Sequence, residues 1–409
     1  MPDSHALLAP SAAKRWMACP PSAQLEARVP ERDTDYTREG TLAHKLAETL
    51  LTRYVRSERS ALIEDIEASM REVIQTVGLD AEMSAIWAEA EANDWDFWGM
   101  LRTVHDDYVA IVFQDWLATR AKDKGTRLDV EVRLDLTQFI PEGFGSADAV
   151  ISGAGVLKVY DLKYGKGVKV DAVENPQIMI YGLGALLAYD FLATDVIEMH
   201  IVQPRLRHAS VYSVTCEALL QWGFHELAPA AAKAWTGEGE LSSGEHCRFC
   251  KVAARCPGLR ERARVAVTSA ADPRLLTGED LAASYGELET VKAWCKAVEE
   301  EALRVCASPS GLPGYKLVAG RSVRSISDPE RAIAALHAAG FVDDAILRPR
   351  ELKTVTDLEK LLRKAAFQEI LGPYVVKPQG KPAIAREDDP RPAWSPADGA
   401  AADFSDINA

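Results

Sequence analysis

The stretch GFGSADAVISGAGVLKVYDLKYG (residues 143–165) decides the fold of this chain. Its pattern of apolar and polar residues predicts two strands joined by a tight turn at Ala154-Gly155. A two-residue turn there places Asp148 directly opposite Asp161, with Cα atoms roughly 4.5–5.5 Å apart. Residues two apart share a face of a strand, so Asp161 and Lys163 point the same way. The stretch therefore predicts two carboxylates and an amine on one face of a hairpin.

This arrangement of charges suits a divalent cation. Two carboxylates so close repel each other unless a cation lies between them, and hard oxygen ligands favour Mg²⁺ or Mn²⁺. A lysine beside the ion can stabilise charge on a phosphate or position an attacking water, as phosphodiester hydrolysis requires. The spacing alone fits a solvent-facing salt bridge equally well, because exposed Asp and Lys are common.

Further strands and helices are predicted around the hairpin. Residues 127–136 (RLDVEVRLDL) alternate apolar and polar residues at strand spacing, and two more strands are predicted at 196–204 and 209–215. A helix is predicted to begin after Asn175, an N-cap residue, with Pro176 at its first position. These patterns predict an α/β fold of the α+β kind, with a mixed sheet flanked by helices.

The composition is that of a globular protein with local binding sites. The chain has 409 residues, 47% of them hydrophobic, and can form two or three units. Its formal net charge of −14 disfavours a nucleic-acid coat over the whole surface. The net charge is compatible with a local basic groove that binds nucleic acid, since residues 246–264 carry six basic residues against one acid. A solvated basic helix face explains these charges equally well.

No stretch of the sequence is typical of a membrane segment. The start lacks the long apolar region of a signal peptide. The longest apolar stretch begins at Ile178 and meets Asp190 after twelve residues, which is too short to span a bilayer. We therefore expect a cytoplasmic protein without a membrane partner.

Three of the seven cysteines form the motif C-x2-C-x5-C, at residues 247–256. In a reducing compartment, this number of cysteines indicates metal binding or unpaired thiols rather than disulfides. Three ligands do not close a typical four-ligand site, and by spacing alone zinc fits best, with reduced buried thiols as the alternative. Cys216, Cys295 and Cys306 lie outside any motif and are predicted to be packed core thiols.

Five motifs together resemble the RecB-like branch of the PD-(D/E)xK nuclease superfamily. That branch presents, in order, an early helical histidine, a glutamate, G-x-x-D, D-x-K and Q-x-x-x-Y. The matching residues here are His44, Glu131, Asp148, Asp161 with Lys163, and Gln177 with Tyr181. Taken singly, each has a structural explanation, such as a helix histidine, a solvated glutamate or a helix surface packed on a sheet. Five elements in the same order are far more specific than D-x-K alone.

The resemblance implies a restriction-endonuclease-like core that binds one or two divalent ions. Asp148 and Asp161 would bind the metal, and His44 and the carbonyl of Leu162 would complete the ligand set. Glu131 would bind metal directly or through a water molecule. Mg²⁺ or Mn²⁺ is the implied cofactor.

The remaining motif residues would act on the DNA. By the same resemblance, Lys163 would stabilise the transition state or orient water. Gln177 and Tyr181 would hold the DNA backbone or support the site. The catalytic residues implied are therefore Lys163, Gln177 and Tyr181 together with the acidic residues of the metal site.

The resemblance also supplies a partner for the cysteine motif. In AddB-type and Cas4-type members, C-x2-C-x5-C follows the nuclease motifs, and a fourth cysteine precedes the histidine helix. Cys19, in WMACPPS, has that position here. The resemblance therefore implies a [4Fe–4S] cluster held by Cys19, Cys247, Cys250 and Cys256, which joins the two ends of the domain.

The chain as a whole resembles a phage and prophage family of RecB-like proteins, the DUF2800 type. HALLAPSAAKRWMACPPSAQLE, EGTLAHKLAE, DLKYGKGVKV and ENPQIMIYGLGAL carry the likeness, together with LEKLL and the GKPAI–DDPRPAW segment near the C-terminus. We therefore expect a DNA exonuclease of phage recombination, repair or replication. No G-x4-G-K-[ST] motif of a helicase occurs, so either another protein unwinds the duplex or the substrate is single-stranded DNA or duplex ends.

Two other classes of function fit the same sequence. The protein could be a DNA-binding module with a vestigial nuclease site. It could instead be a structural partner of a recombinase or single-strand-binding protein, and an oligomer is compatible with each of these functions.

The predicted domain organisation has three parts. Residues 1–268 form the nuclease domain, with a helical insertion at about 58–122. Residues 269–376 form a mainly helical domain with a small hairpin at 314–326. Residues 377–409 form a disordered tail.

Overall fold

The structure is a computed structural model that describes most of the chain. The described residues are 6–30, 34–57, 81–189, 195–268, 278–320, 325–348, 351–352, 354–362, 364–376 and 380–386. The chain divides into two compact units, Met1–Trp294 and Cys295–Ala409. The boundary that we predicted between a nuclease domain and a C-terminal domain lies earlier, after residue 268. None of the described helices is long and apolar enough to cross a membrane.

The first unit is built around a five-stranded sheet with the strand order β1-β2-β3-β4-β5. The strands are β1 (Arg127–Asp135), β2 (Phe144–Gly153), β3 (Val156–Leu162), β4 (Val196–Gln203) and β5 (His208–Thr215). Strands β3 and β4 are parallel, and the other neighbouring pairs are antiparallel. The prediction of a mixed sheet flanked by helices is confirmed.

Helices cover both faces of this sheet. The helices that begin in the first unit are α1 (Ala13–Ala18), α2 (Pro21–Glu26), α3 (Asp35–Ser57), α4 (Ala81–Ala92), α5 (Phe97–Val104), α6 (Ala110–Lys122), α7 (Pro176–Ala188), α8 (Cys216–Trp222), α9 (Ala228–Thr236), α10 (Pro257–Thr268) and α11 (Gly278–Ala307). Helix α7 connects the parallel strands β3 and β4, and such a connection must cross over one face of the sheet. Every residue from Ile178 to Leu186 is accordingly buried.

The turn between β2 and β3 fixes the register of the central hairpin. Ala154 and Gly155 have φ values of 55° and 73°, as the two-residue hairpin turn with two positive φ values requires. Ala149 pairs with Tyr160 at the far end of the ladder. The next position in this register places Asp148 across from Asp161, as the sequence predicts.

The apolar residues of β1 do not share one face, contrary to what the simple alternation predicts. Leu128 and Val130 belong to a core cluster formed with α3, α5 and α6, whereas Val132 and Leu134 pack in a second cluster formed with α7. Glu131 lies between them with a φ of 50°. This left-handed residue interrupts the alternation, so the two halves of β1 bury their side chains on opposite faces of the sheet.

The predicted helical insertion is helical where the structure describes it. Residues 58–80 lie outside the described residues. The remainder forms α4, α5, a π-helical segment (His105–Val109) and α6. Trp87, Trp95 and Trp98 pack against the core cluster that includes α3, so these tryptophans contribute to the core of the protein.

The second unit has a small core of its own, and its described residues form four short α-helices after the end of α11. These are α12 (Pro329–Ala338), α13 (Asp343–Ile346), α14 (Val355–Leu362) and α15 (Lys364–Ile370). Its strands are β6 (Tyr315–Gly320), β7 (Ser325–Ile326), β8 (Leu347–Arg348), β9 (Glu351–Leu352), β10 (Val375–Val376) and β11 (Gly380–Arg386).

The strand pairing of the second unit differs from the prediction. The predicted hairpin at 314–326 is wrong, because β6 pairs with β11 and β7 pairs with β10. Residues 380–386 of the predicted tail form β11 instead of disordered chain. Residues 387–409 of that tail lie outside the described residues.

Candidate active site

His44, Glu131 and Asp148 form a group that could hold a metal ion. One ligand atom from each lies within 4.8 Å of the other two. The three residues come from α3, β1 and β2, and His44 Nδ1 is 3.0 Å from Asp148 Oδ1. An imidazole nitrogen and two carboxylates suit a divalent cation.

The packing of α3 and the backbone geometry of β1 and β2 position the three side chains of this group. Leu42, Ala43, Leu46 and Ala47 are buried around His44 and fix the orientation of α3. Strands β1 and β2 pair through Val130 with Ala149 and through Val132 with Ala147. Glu131 and Asp148, which lie between these pairs, do not pair with each other. A non-glycine residue with a left-handed backbone is strained, and such residues cluster at functional sites.

Asp161, Lys163, Gln177 and Tyr181 form a hydrogen-bonded chain. Lys163 Nζ donates to Asp161 Oδ1 at 3.2 Å and to Gln177 Oε1 at 2.9 Å, and it forms an ion pair with Asp161 Oδ2 at 2.9 Å. Gln177 Nε2 donates to Asp161 Oδ1 at 3.2 Å and to the Tyr181 hydroxyl at 3.4 Å. The side chain of Asn175 accepts a hydrogen bond from the backbone N–H of Gln177, so the predicted N-cap positions this chain.

The group of possible metal ligands in the structure differs from the set that the resemblance implies. Among the described residues, Asp161 does not belong to the group of ligand atoms within 4.8 Å, while Glu131 does. Asp161 is 4% exposed and is held by Lys163 and Gln177. Leu162 is adjacent to the group, and its backbone N–H donates to Asp148 Oδ2 at 2.5 Å.

The electrostatics of the site favour a bound cation. Glu131 keeps contact with solvent, but burial of its carboxylate, with added repulsion from Asp148, raises its pKa to about 7. Burial also raises the pKa of Asp161, against the attraction of Lys163. Burial lowers the pKa of His44, but Asp148 outweighs this effect and the net pKa is raised. A bound cation would oppose the upward shifts of Glu131 and Asp161, because it stabilises the ionised form of each carboxylate.

A second group of possible ligands was not predicted from the sequence. Asp115, Glu198 and His200 also have ligand atoms within 4.8 Å of one another. Lys158 Nζ lies 2.7 Å from Asp115 and 3.2 Å from Glu198, and the Tyr160 hydroxyl donates to Asp115. The lysine amine forms ion pairs with both carboxylates, so this group is a charge network that contains its own cation. The only sequence signal was the polar Lys158 and Tyr160 alternating with Leu157 and Val159.

The four cysteines of the predicted cluster line one pocket. Cys19 follows α1, and Cys247, Cys250 and Cys256 lie in or beside two short 3-10 helices, Glu245–Phe249 and Ala253–Arg255. Burial raises the pKa of the Cys19 thiol, and that of Cys250 to about 12. Ligation of a metal, which requires thiolates, would therefore displace bound protons.

The ends of the first unit are held together beside this pocket. Arg15 forms an ion pair with Glu26 at 2.7 Å, and Glu26 Oε1 accepts a hydrogen bond from the backbone N–H of Lys251 at 2.6 Å. Four thiolates around one zinc ion would lie about 3.8 Å apart, given a Zn–S distance of about 2.3 Å. Of the described cysteines, no three have sulfurs that all lie within 4.8 Å of one another, so these thiols do not have the spacing that a bound zinc ion would give them.

The other three cysteines, which we predicted to be packed core thiols, differ in their burial. Cys216 is buried, as predicted for a packed core thiol. Cys306 is half-buried, and Cys295 is exposed, so the prediction is wrong for Cys295. Cys295 follows Trp294 on α11, at the boundary between the two units.

The predicted basic patch at 246–264 is partly neutralised. Arg262 forms two hydrogen bonds with Glu287, which lies outside the patch, and Arg264 pairs with Glu261. The guanidinium of Arg248 lies 5.6 Å from the ring centre of Phe249, which is 68% exposed. The local charge is therefore smaller than the sequence of the segment alone indicates.

Comparison with known proteins places the chain in a family. One solved structure, described as the crystal structure of SSO0001, is 13% identical and is aligned over 60% of this chain and 96% of that chain. Its TM-score is 0.22, at which no common fold is shown. A family model described as "Protein of unknown function (DUF2800)" matches residues 5–392. Because this match spans nearly the whole chain, the protein belongs to the DUF2800 family.

Proposed function

We propose that this protein is a divalent-metal-dependent deoxyribonuclease with a PD-(D/E)xK core. It would act as an exonuclease on single-stranded DNA or duplex ends in phage recombination, repair or replication. The observation that carries the proposal is the group of His44, Glu131 and Asp148, beside a lysine held by Asp161 and Gln177.

The chain's own groups would have separate tasks in phosphodiester hydrolysis. His44, Glu131 and Asp148 would hold Mg²⁺ or Mn²⁺, and Asp161 would bind a second ion or orient Lys163. A bound ion would lower the pKa of a water molecule and neutralise charge on the scissile phosphate. Lys163 carries three N–H donors. Asp161 and Gln177 accept two of them, and the third can donate to a phosphate oxygen or to the attacking water.

Gln177 would orient Lys163 rather than take part in proton transfer. Its amide oxygen accepts from Lys163 Nζ while its amide nitrogen donates to Asp161. This bidentate contact fixes the amine relative to the carboxylate. Tyr181, whose pKa is raised by burial, stays neutral and supports the Gln177 amide.

The cysteine pocket would hold a [4Fe–4S] cluster that stabilises the domain. Thiolate ligands suit such clusters, and the four cysteines come from both ends of the first unit. Arg248 and the exposed Phe249 lie on the same segment as the pocket. They would contact a phosphate and stack on a base of single-stranded DNA.

A nuclease assay on the full chain tests this function. Anaerobically purified protein would be incubated with end-labelled single-stranded and duplex DNA, with Mn²⁺ or with chelator. We expect metal-dependent release of nucleotides, abolished by Asp148→Asn. Asp115→Asn is the matched control, because it alters the other histidine–carboxylate group. Loss of cleavage in Asp115→Asn but not in Asp148→Asn would reject the site, and DNA binding without cleavage by the wild type would reject the enzyme.

A further inference from the structure

Tyr108 has a buried hydroxyl group without a hydrogen-bond partner. The residue is 0% exposed, and no described residue forms a hydrogen bond with its oxygen. A buried hydroxyl without a partner is unfavourable. Proteins usually satisfy such groups with a buried water molecule that has two or more further polar partners. Tyr108 therefore indicates a polar space next to its ring.

Tyr108 lies in a core cluster that reaches the strand and the helix of the candidate metal group. It belongs to the π-helical segment His105–Val109, which interrupts the helix between α5 and α6. A π-helical segment adds a residue to a turn and often occurs at functional sites. The segment contacts α3, which carries His44. In the core, Tyr108 shares one cluster with Ala43 and Ala149, the residues that adjoin His44 and Asp148.

The charges near Tyr108 are those of the candidate site. Burial raises the pKa of its hydroxyl well above the usual value, and the carboxylates of Asp148, Asp161 and Glu131 raise it further. The hydroxyl therefore keeps its proton and acts as a donor. The charged groups that act on this hydroxyl are carboxylates, which accept hydrogen bonds when ionised. One oxygen of Asp161, Oδ2, is likewise buried and accepts no hydrogen bond, although Lys163 Nζ is 2.9 Å away.

We propose that Tyr108 is a positioning residue of the metal site, whose hydroxyl donates a hydrogen bond to a buried water molecule that in turn binds the site's carboxylates. This inference rests on the proposed metal-dependent function. None of the five nuclease-like motifs includes Tyr108. Hydrogen bonds to metal-binding carboxylates fix their orientation, and loss of such a bond typically weakens metal affinity.

The test compares two tyrosine-to-phenylalanine variants of the full chain. Tyr108→Phe removes the unpartnered hydroxyl and keeps the ring. Tyr54→Phe is the matched control, because the Tyr54 hydroxyl lies in the same core cluster but forms a hydrogen bond with His105 Nε2 at 2.8 Å. Mn²⁺ affinity would be measured from the electron paramagnetic resonance signal of unbound Mn²⁺. Thermal unfolding of the metal-free proteins would show that both variants are folded.

The expected result is a selective loss of metal affinity. Tyr108→Phe should weaken Mn²⁺ binding about tenfold or more, while Tyr54→Phe should bind Mn²⁺ like the wild type. The inference is overturned if Tyr108→Phe stays within about threefold of the wild type, or if Tyr54→Phe weakens binding by the same factor. Wild-type protein that binds no Mn²⁺ would overturn the proposed metal site itself, and the role of Tyr108 with it.

Discussion

His44 Nδ1 lies 3.0 Å from Asp148 Oδ1, although the two residues are 104 positions apart in the chain. This contact joins α3 to strand β2 of the sheet. Without a metal, a proton holds the two groups together, and the raised pKa of His44 reflects the attraction of Asp148. A metal ion bound here would take the place of that proton.

Metal affinity should therefore rise with pH. A histidine binds metal only when neutral, and a carboxylate only when ionised. Glu131 has a pKa of about 7, and the pKa of His44 is raised above its ordinary value, so each protonated group must lose its proton before it can bind a metal ion. We expect Mn²⁺ to bind more tightly at pH 8 than at pH 6, with protons released to the buffer. Calorimetry in buffers of different ionisation enthalpy measures this release, and equal affinity at both pH values would contradict it.

The stability of the metal-free protein should change with pH in the opposite direction. Glu131 has a pKa of about 7 in the folded state against 4.5 as its ordinary value. The folded state therefore binds this proton more tightly than the unfolded state. The resulting stabilisation is fully present below about pH 4.5 and is lost as the pH rises through 7. His44 and Asp161, whose pKa values are also raised, act in the same direction.

Urea unfolding of the chelator-treated protein at pH 5, 6, 7 and 8 checks this prediction. The free energy of unfolding should fall across the series for the wild type. Glu131→Gln should reduce the slope, whereas Glu289→Gln, which alters an exposed glutamate of α11, should not. A wild-type slope that persists in Glu131→Gln would assign the effect to other groups.

The sequence was sufficient to predict those parts of the structure that short local signals determine. The turn at Ala154 and Gly155 fixed the register of the central hairpin, because a two-residue loop permits only one pairing. Asn175 and Pro176 marked the start of α7, because capping and fixed φ act on the nearest residues. Together, the turn and the helix start bring Asp161, Lys163 and Gln177 close to one another.

The sequence was insufficient where distant residues determine the local structure. Glu131 lies in a regular alternating pattern, and its left-handed backbone follows from packing on both faces of the sheet. Glu287 reduces the positive charge of the basic patch by pairing with Arg262, although it lies outside residues 246–264. Tyr108 had no motif to mark it, since its relation to the carboxylates depends on how the helix between 97 and 122 packs on α3.

The left-handed conformation of Glu131 gives a test of backbone strain. At an ordinary strand position, glycine is less stable than alanine by roughly 0.5–1 kcal/mol. At a φ of 50°, an alanine retains the strain, which costs about 1–2 kcal/mol, and a glycine does not. We therefore expect Glu131→Gly to be more stable than Glu131→Ala, the reverse of the usual order. Both variants should lose metal affinity.

The control for this comparison is Arg133, two residues along the same strand with ordinary φ. Arg133→Gly should be less stable than Arg133→Ala by denaturant unfolding. If alanine is also the more stable residue at position 131, then Glu131 is not strained.

Lys163 should separate metal binding from catalysis. Its amine pairs with Asp161 and Gln177 and lies outside the group formed by His44, Glu131 and Asp148. Lys163→Met should therefore retain Mn²⁺ affinity but reduce kcat by about 100- to 1,000-fold, the usual loss for a group that stabilises transition-state charge. Gln177→Leu, which leaves the amine in place but misoriented, should cost about tenfold. Equal kcat in Lys163→Met and the wild type would remove the lysine from the mechanism.

Cys19 and Cys216 provide a matched pair for the proposed cluster. Both thiols are buried, with 5% and 8% exposure, but only Cys19 lines the pocket with Cys247, Cys250 and Cys256. If both were core thiols, replacement by alanine would cost a similar small amount of stability in each case. If Cys19 is a cluster ligand, Cys19→Ala should lose iron, sulfide and visible absorption, and should unfold at a much lower temperature, because cluster binding is part of the folding free energy.

Cys250→Ala should match Cys19→Ala in all of these measurements, while Cys216→Ala should keep full iron content and nearly the wild-type unfolding temperature. The reason is geometric, since Cys19 and Cys250 both line the pocket and Cys216 does not. A colourless wild-type protein with one zinc ion per chain would reject the iron–sulfur assignment. Full iron content and stability in Cys19→Ala would show instead that three cysteines suffice and that α1 is held to the pocket by the Arg15–Glu26 pair and its contact with Lys251.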